Sequence, residues 1–319
     1  MRSVGGAARS RVPGMVLGLV AALLLAGCGA GSVGGSGTGG GASGLRVVAS
    51  FYPLQYLAQR VLGDAGSVTS LTRPGAEPHD LELTARDVAS VSRAALVVYL
   101  RGFQPSVDQA VTAEGGTRAL DVSGPADLSL TYTPIEGGQA QTQQAGAVDP
   151  HFWLDPLRLA AVADALAARL ATVDPGHAAV FTANAAAVRA DLVALDGEFR
   201  TGLARCTDLN LVTSHNAFGY LAQRYGLRQV GITGLTADQE PNATQLADVT
   251  TFVRTHHVRT IYYETLVSPK IADTVAAETG ARTEVLDPIE GLTDQSQGKD
   301  YLQVMRANLR NLRAGQSCS

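Results

Sequence analysis

Apolar residues along this 319-residue chain fall into two patterns that alternate with each other. Short strand-like runs carrying apolar residues, bounded by glycine, proline or polar turn residues, recur at 45–51, 67–71, 95–100, 209–213, 228–232, 260–263 and 283–286. These read as strands, the first of them buried. Between them the apolar positions recur at helical spacing, first at Leu54, Leu57, Ala58, Val61 and Leu62, then over 83–92, 105–113, 217–225, 244–256 and 269–279. A further helix is expected from Tyr301 to Leu312. Strand–helix alternation of this kind predicts an α/β fold with parallel sheets covered on both sides. The rhythm occurs twice, without a detectable sequence repeat, which predicts two Rossmann-like lobes.

The middle of the chain breaks the rhythm. Asp155 is placed to cap a helix over 156–173, with Pro156 at its first position. After Asp174-Pro-Gly176, Phe181, Ala185, Val188, Leu192, Leu195 and Phe199 repeat at 4-3-4-3-4, one stripe along a helix running to about Leu203. At 1.5 Å per residue such a helix spans roughly 40 Å. It predicts a rigid linker, 176–205, between an N-terminal lobe (45–175) and a C-terminal lobe (206–319), with little hinge motion.

The first 44 residues do not follow either pattern. Arg2, Arg9 and Arg11 precede an apolar run over 15–26, too short to span a bilayer and suited to a signal peptide. The run ends in Leu25-Ala-Gly-Cys28, which resembles a bacterial lipobox and implies cleavage of 1–27 with lipid attached to Cys28. Residues 29–44 are Gly, Ser, Ala and Thr with one Val, a composition that cannot bury enough surface to order itself, so 28–44 reads as a tether. The expected location is outside the cytoplasm, on the outer face of the membrane or in the periplasm. A net charge of −4 without a basic cluster argues against a nucleic-acid partner. In an exported chain the two remaining cysteines, Cys206 and Cys318, read as a disulfide, with free thiols as the alternative.

Three of the six histidines stand where strands hand over to helices: His79, His151 and His215. Asp287 follows the last strand in the same way. Ligands of parallel sheets collect at the carboxyl ends of strands, so two such groups per lobe would place a metal between the lobes. Glu264, also after a strand, reads either as a partner holding a ligand imidazole or as a helix cap. His177, His256 and His257 read as surface or helix-end residues, and Glu240 as a loop-ordering group.

Glu77-Pro-His-Asp80, Asp149-Pro-His-Phe-Trp-Leu-Asp-Pro156, Ser214-His-Asn-Ala-Phe-Gly-Tyr-Leu221 and Leu286-Asp-Pro-Ile289 occur in that order. Together with Gln239-Glu-Pro-Asn-Ala-Thr-Gln-Leu246 and Tyr263-Glu-Thr-Leu-Val-Ser-Pro-Lys270, they resemble the zinc/manganese solute-binding lipoproteins of ABC importers, the ZnuA-like group. The resemblance covers essentially 45–318. It implies one Zn2+ as transported ligand, held by His79, His151, His215 and Asp287, and a membrane permease as partner. It also supports the disulfide. Relatives specialised for manganese tend to carry a carboxylate where His215 stands, so the nitrogen there favours zinc. Many zinc members carry a His-rich loop before the second ligand; here 136–148 contains no histidine, so capture falls to the main site or to a partner such as a periplasmic metallochaperone. The expected protein is a receptor and not an enzyme. Two other readings are a zinc-dependent hydrolase, which lacks an HExxH motif here, and a manganese-specific member of the same group.

Overall fold

Successive side chains on the strands face two different cores, and that alternation decides the architecture. The computed structural model describes residues 44–135 and 145–319. The expected signal peptide, Cys28, the tether up to Ser43 and residues 136–144 of the loop lie outside the described residues.

The first sheet is built from β1 (Leu45–Ala49), β2 (Gly66–Ser70), β3 (Leu96–Tyr99) and β4 (Ala119–Asp121), all parallel, in the order β2-β1-β3-β4. The second repeats that topology with β5 (Asn210–Thr213), β6 (Arg228–Gly231), β7 (Thr260–Tyr263) and β8 (Arg282–Val285), in the order β6-β5-β7-β8. Both sheets are therefore parallel, as the alternating pattern predicts. β4 is the strand that the pattern misses: three half-buried residues at a sheet edge leave no apolar run to detect.

On β1, Val47 and Ala49 point into one core and Val48 into another; on β3, Leu96 and Val98 oppose Val97 and Tyr99 in the same way. The outer face of the first sheet is covered by α2 (Ala85–Arg93) and α3 (Pro105–Ala110), through Val91, Val107 and Ala110. The short α4 (Ser123–Ala126) follows β4. In the second sheet Leu211 faces inward while Val212, Val230 and Ile261 face outward. They pack there against Val249, Phe252 and Val253 of α8 (Ala243–Thr255) and Ala272 and Val275 of α9 (Lys270–Thr279).

The inner core is shared. It runs from Val47 and Leu96, through α1 (Tyr52–Leu62), α5 (Pro156–Val173) and α6 (Ala178–Leu203), to Leu211, Tyr262 and Leu286 of the second half. The predicted stripe on α6, Phe181 to Phe199, is buried along its length and seats the helix against α5 and α1. Residues Pro175–Leu203 are long and apolar enough to cross a membrane by length and composition, and one stripe of this helix packs against α5 and α1. Asp155 caps α5, its Oδ1 accepting from Leu157 N at 2.9 Å.

Two further ties join the halves. Asp196 of α6 accepts from Arg224 Nε (2.6 Å) and from Tyr225 Oη (3.0 Å), both at the end of α7 (Gly219–Tyr225), and Arg224 reaches Asp155 at 3.3 Å. The last helix, α10 (Tyr301–Gly315), returns so that the Tyr301 hydroxyl donates to the carbonyl of Trp153. A disulfide between Cys206 and Cys318, 112 residues apart, fastens the end of the chain to the residues leading into β5.

Candidate metal centre

Loops that follow β2, β5 and β8 carry three side chains to one point. A fourth, His151, comes from the segment ahead of α5, where no strand among the described residues leads into it as the sequence pattern led one to expect. His79 lies between β2 and α2, its backbone N–H donating to Glu77 Oε1 at 2.9 Å. Gln104 braces that loop by donating to Thr72 Oγ1 and to the carbonyl of Pro78. His151 stands just before the short 3-10 turn Phe152–Leu154 that leads into α5. His215 follows β5, and Glu290 lies in the loop between β8 and α10.

Glu290 Oε1 is 3.4 Å from His79 Nε2, 3.1 Å from His151 Nε2 and 3.4 Å from His215 Nε2. The two nitrogens of His151 and His215 are 3.4 Å apart, and one ligand atom from each of the four residues lies within 4.8 Å of every other. His151, His215 and Glu290 are fully buried and His79 is 8% exposed, the nearest of the four to solvent. Phe103 meets the His79 ring edge-on at 4.6 Å and Trp153 the His151 ring at 5.2 Å, which gives the cluster an apolar wall.

The outer nitrogens fix the tautomers. His151 Nδ1 is 2.8 Å from Asp149 Oδ1, and His215 Nδ1 is 2.6 Å from Glu264 Oε1. An ionised carboxylate can only accept, so each Nδ1 carries a hydrogen and a neutral ring turns the lone pair of Nε2 inward. Those lone pairs face one another and the Glu290 carboxylate. Such a convergence is repulsive unless a cation or a proton sits within it. Without a metal the buried charges settle on protons. Burial alone would lower His215, but Glu264 and Glu290 outweigh it and hold the imidazole well above its usual value near 6.5. His151 moves the same way, burial being overcome by Asp149 and Glu290. For Glu290, burial is overcome by the three histidines, which keep it well below the usual carboxylate range. Burial pulls His79 down, and burial with nearby Glu290 pushes Glu77 up to about 8. Glu290 Oε2 and Glu264 Oε2 are buried with no hydrogen-bond partner.

A set of three imidazole nitrogens and one carboxylate, backed by carboxylates that orient two of the rings, fits a divalent ion of zinc's character. The structure brings together His79, His151 and His215 of the expected ligands, and it does not bring Asp287 to them. Asp287 Oδ1 accepts from Ile289 N (2.8 Å), and Oδ2 from Thr265 Oγ1 (3.1 Å) and Ser296 Oγ (3.0 Å). The carboxylate that meets the histidines is three residues on, at Glu290. Between them Ile289, fully buried, has φ +58°, a left-handed conformation that costs a β-branched residue about 1–3 kcal/mol. Sequence reading passed over Glu290 and Asp149; each is an acid beside a motif histidine or within a motif loop, and only the turn geometry distinguishes them from surface acids.

The other histidines lie away from the cluster. His177 is exposed and pairs with Asp174 at 2.6 Å, and His256 stacks on Phe252 with Nδ1 at the Phe252 carbonyl. His257 takes a positive φ just past the end of α8, and Glu240 is exposed.

Residues 47–315 match the family model for the zinc-uptake complex component A, periplasmic. The chain is 35% identical over 280 residues to the high-affinity zinc uptake system protein ZnuA of Bacillus subtilis, covering 84% of this chain and 86% of that protein. It is 34% identical over 300 residues to the zinc-binding lipoprotein AdcA of Streptococcus pneumoniae serotype 4, covering 92% of this chain and 60% of AdcA. Among solved structures, the Zn(II)-bound ZnuA-like domain of Streptococcus pneumoniae AdcA superposes with a TM-score of 0.71 at 32% identity, over 86% of this chain and 99% of that one. The laminin-binding protein Lmb of Streptococcus agalactiae, described as having adhesin and metal-transporting activity, gives 0.74 at 32% identity, over 86% and 100%.

Proposed function

The chain belongs to the family of the periplasmic zinc-uptake complex component A, and from that premise we propose that it is an extracytoplasmic Zn2+ receptor serving an ABC-type importer. The ion is held by His79, His151, His215 and Glu290, and the protein performs no bond chemistry on it. One observation carries this reading: three inward-facing imidazole nitrogens and a carboxylate oxygen converge in a buried site where two rings are locked by Asp149 and Glu264. Nothing but a cation satisfies that arrangement at a pH where the rings are neutral.

Four protein ligands fill the tetrahedral positions that zinc prefers, which suits a carrier. A catalytic zinc keeps a place open for water, and this set leaves none if each residue gives one atom. Two nitrogens beyond His79 favour zinc over manganese, a harder ion that prefers oxygen. Because ligand binding must displace protons from His151 and His215, capture releases protons and weakens as pH falls. Lipid on Cys28 would hold the receptor near the membrane permease.

Isothermal titration of the purified, metal-stripped protein with Zn2+ tests the proposal. One tight site with proton release is expected. No binding, or several equal sites, contradicts it.

A further inference from the structure

The loop that carries Glu290 has every polar handle at its root tied down. Asp287 N donates to Asn308 Oδ1 (3.0 Å), and Asn308 Nδ2 donates back to the Asp287 carbonyl (2.7 Å). Trp153 Nε1 donates to the Pro288 carbonyl at 2.7 Å. The Asp287 carboxylate, 1% exposed, takes the next backbone N–H, that of Ile289, with one oxygen, closing an Asx turn. Its other oxygen takes the hydroxyls of Thr265 and Ser296. Thr265 is the neighbour of Glu264, the residue that holds His215. One buried carboxylate therefore fastens the segment that aims His215 to the segment that presents Glu290.

Ile289 shows why such fastening is needed. A β-branched residue does not hold a φ of +58° by its own preference, so the surroundings must impose it. The bond from Ile289 N to Asp287 Oδ1, 2.8 Å, is made by that residue's own backbone. If Ile289 relaxed to negative φ, the following carboxylate would leave the three imidazoles.

We propose that Asp287 is the positioning residue of the metal centre: it contributes no ligand atom, and through the Ile289 turn it sets Glu290 at the fourth position. This assignment rests on the zinc-receptor reading above and adds to it a residue that acts through Glu290.

The test is a double-mutant cycle on the full protein, read as Zn2+ affinity by competition with a chelating dye. Asp287→Asn keeps the shape and one acceptor oxygen while removing the charge. It is expected to weaken Zn2+ binding about 10–100-fold, the range for residues that orient a metal ligand. In a Glu290→Gln background the same change is expected to cost less than about 3-fold, because the residue it positions is already impaired. Co2+ spectra serve as the second readout: Asp287→Asn should resemble Glu290→Gln, not the wild type. Should Asp287→Asn not fold, Thr265→Val with Ser296→Ala removes the partners of Oδ2 alone and should weaken binding several-fold with the same non-additivity. Equal losses in both backgrounds would mean a general structural role and overturn the assignment, as would unchanged affinity in Asp287→Asn. A wild-type protein that takes up no Zn2+ would instead overturn the receptor reading, and this assignment with it.

Discussion

His151 and His215 bring their Nε2 atoms to 3.4 Å while Asp149 and Glu264 occupy the far nitrogen of each ring. Two neutral imidazoles held this way aim lone pairs at each other, and the protein scaffold prevents them from turning away. The site is thus prepared for a cation by groups that do not touch the cation.

Removing a ligand should be far worse than removing a surface histidine. His215→Ala is expected to weaken Zn2+ binding by more than about 100-fold, beyond the usual range for residues that only orient ligands. His177→Ala, which loses an exposed pair with Asp174, should leave affinity within about 2-fold, because exposed ion pairs contribute little. Competition titration of both variants checks this, and equal effects would mean a different ligand set.

The orienting carboxylate beside His151 can be displaced without touching it. A Cβ at Gly219 would stand 2.4 Å from Asp149 Oδ2, so Gly219→Ala must move Asp149 or its own helix end. Zn2+ affinity is expected to fall about 10–100-fold with the fold retained, as circular dichroism would show. Unchanged affinity would separate Asp149 from the site.

The metal-free protein should lose stability as pH rises. His151 and His215 are raised above their ordinary value and Glu77 is pushed up to about 8, so their contributions are complete at low pH and lost through the folded-state values. His79, lowered by burial, works in the opposite sense and is outnumbered. Glu290, lowered, contributes above the ordinary carboxylate value and is lost only in acid. The metal-free melting temperature should therefore decline as pH rises above about 6. The increase caused by saturating Zn2+ should grow over that range, as protons stop competing for the nitrogens. Calorimetry at several pH values reads both, and a metal-free melting temperature that rises with pH would contradict the charge assignment.

The disulfide and the site should be separable. Cys206–Cys318 closes a loop of over 100 residues, worth about 4–5 kcal/mol by chain entropy. It lies before β5, at the sheet end opposite the one where His215 follows the strand. Cys206→Ser with Cys318→Ser should lower the free energy of unfolding in urea by about 2–5 kcal/mol with Zn2+ affinity nearly unchanged.

Much of this was legible in the sequence, for a physical reason. The largely buried central strands β1, β3, β5 and β7 leave apolar runs, and the edge strands β2, β6 and β8 are marked more weakly by their place between helical patterns. A 26-residue helix packed along one side leaves a stripe, so the order of these elements and the long helix α6 could be read directly. β4 could not, since an edge strand of three half-buried residues carries no pattern. The three histidines were marked by their position after strands or before a helix. The fourth group, a carboxylate, was not, because Asp287 and Glu290 share one loop and either satisfies the spacing. What separates them is an Asx turn and a left-handed Ile289, conformations that the residue types do not announce. Asp149 and Glu264 are similar: their value lies in a contact with the far side of a ring, which only the folded chain supplies.

The receptor reading turns on which four groups would hold the ion. A crystal structure of the zinc-loaded protein, with anomalous scattering measured on both sides of the zinc edge, tests it most directly. One zinc peak bonded to the Nε2 atoms of His79, His151 and His215 and to the Glu290 carboxylate, with Asp287 still holding Ile289, is the predicted result. Zinc bound elsewhere, or bonded to Asp287 in place of Glu290, would contradict it.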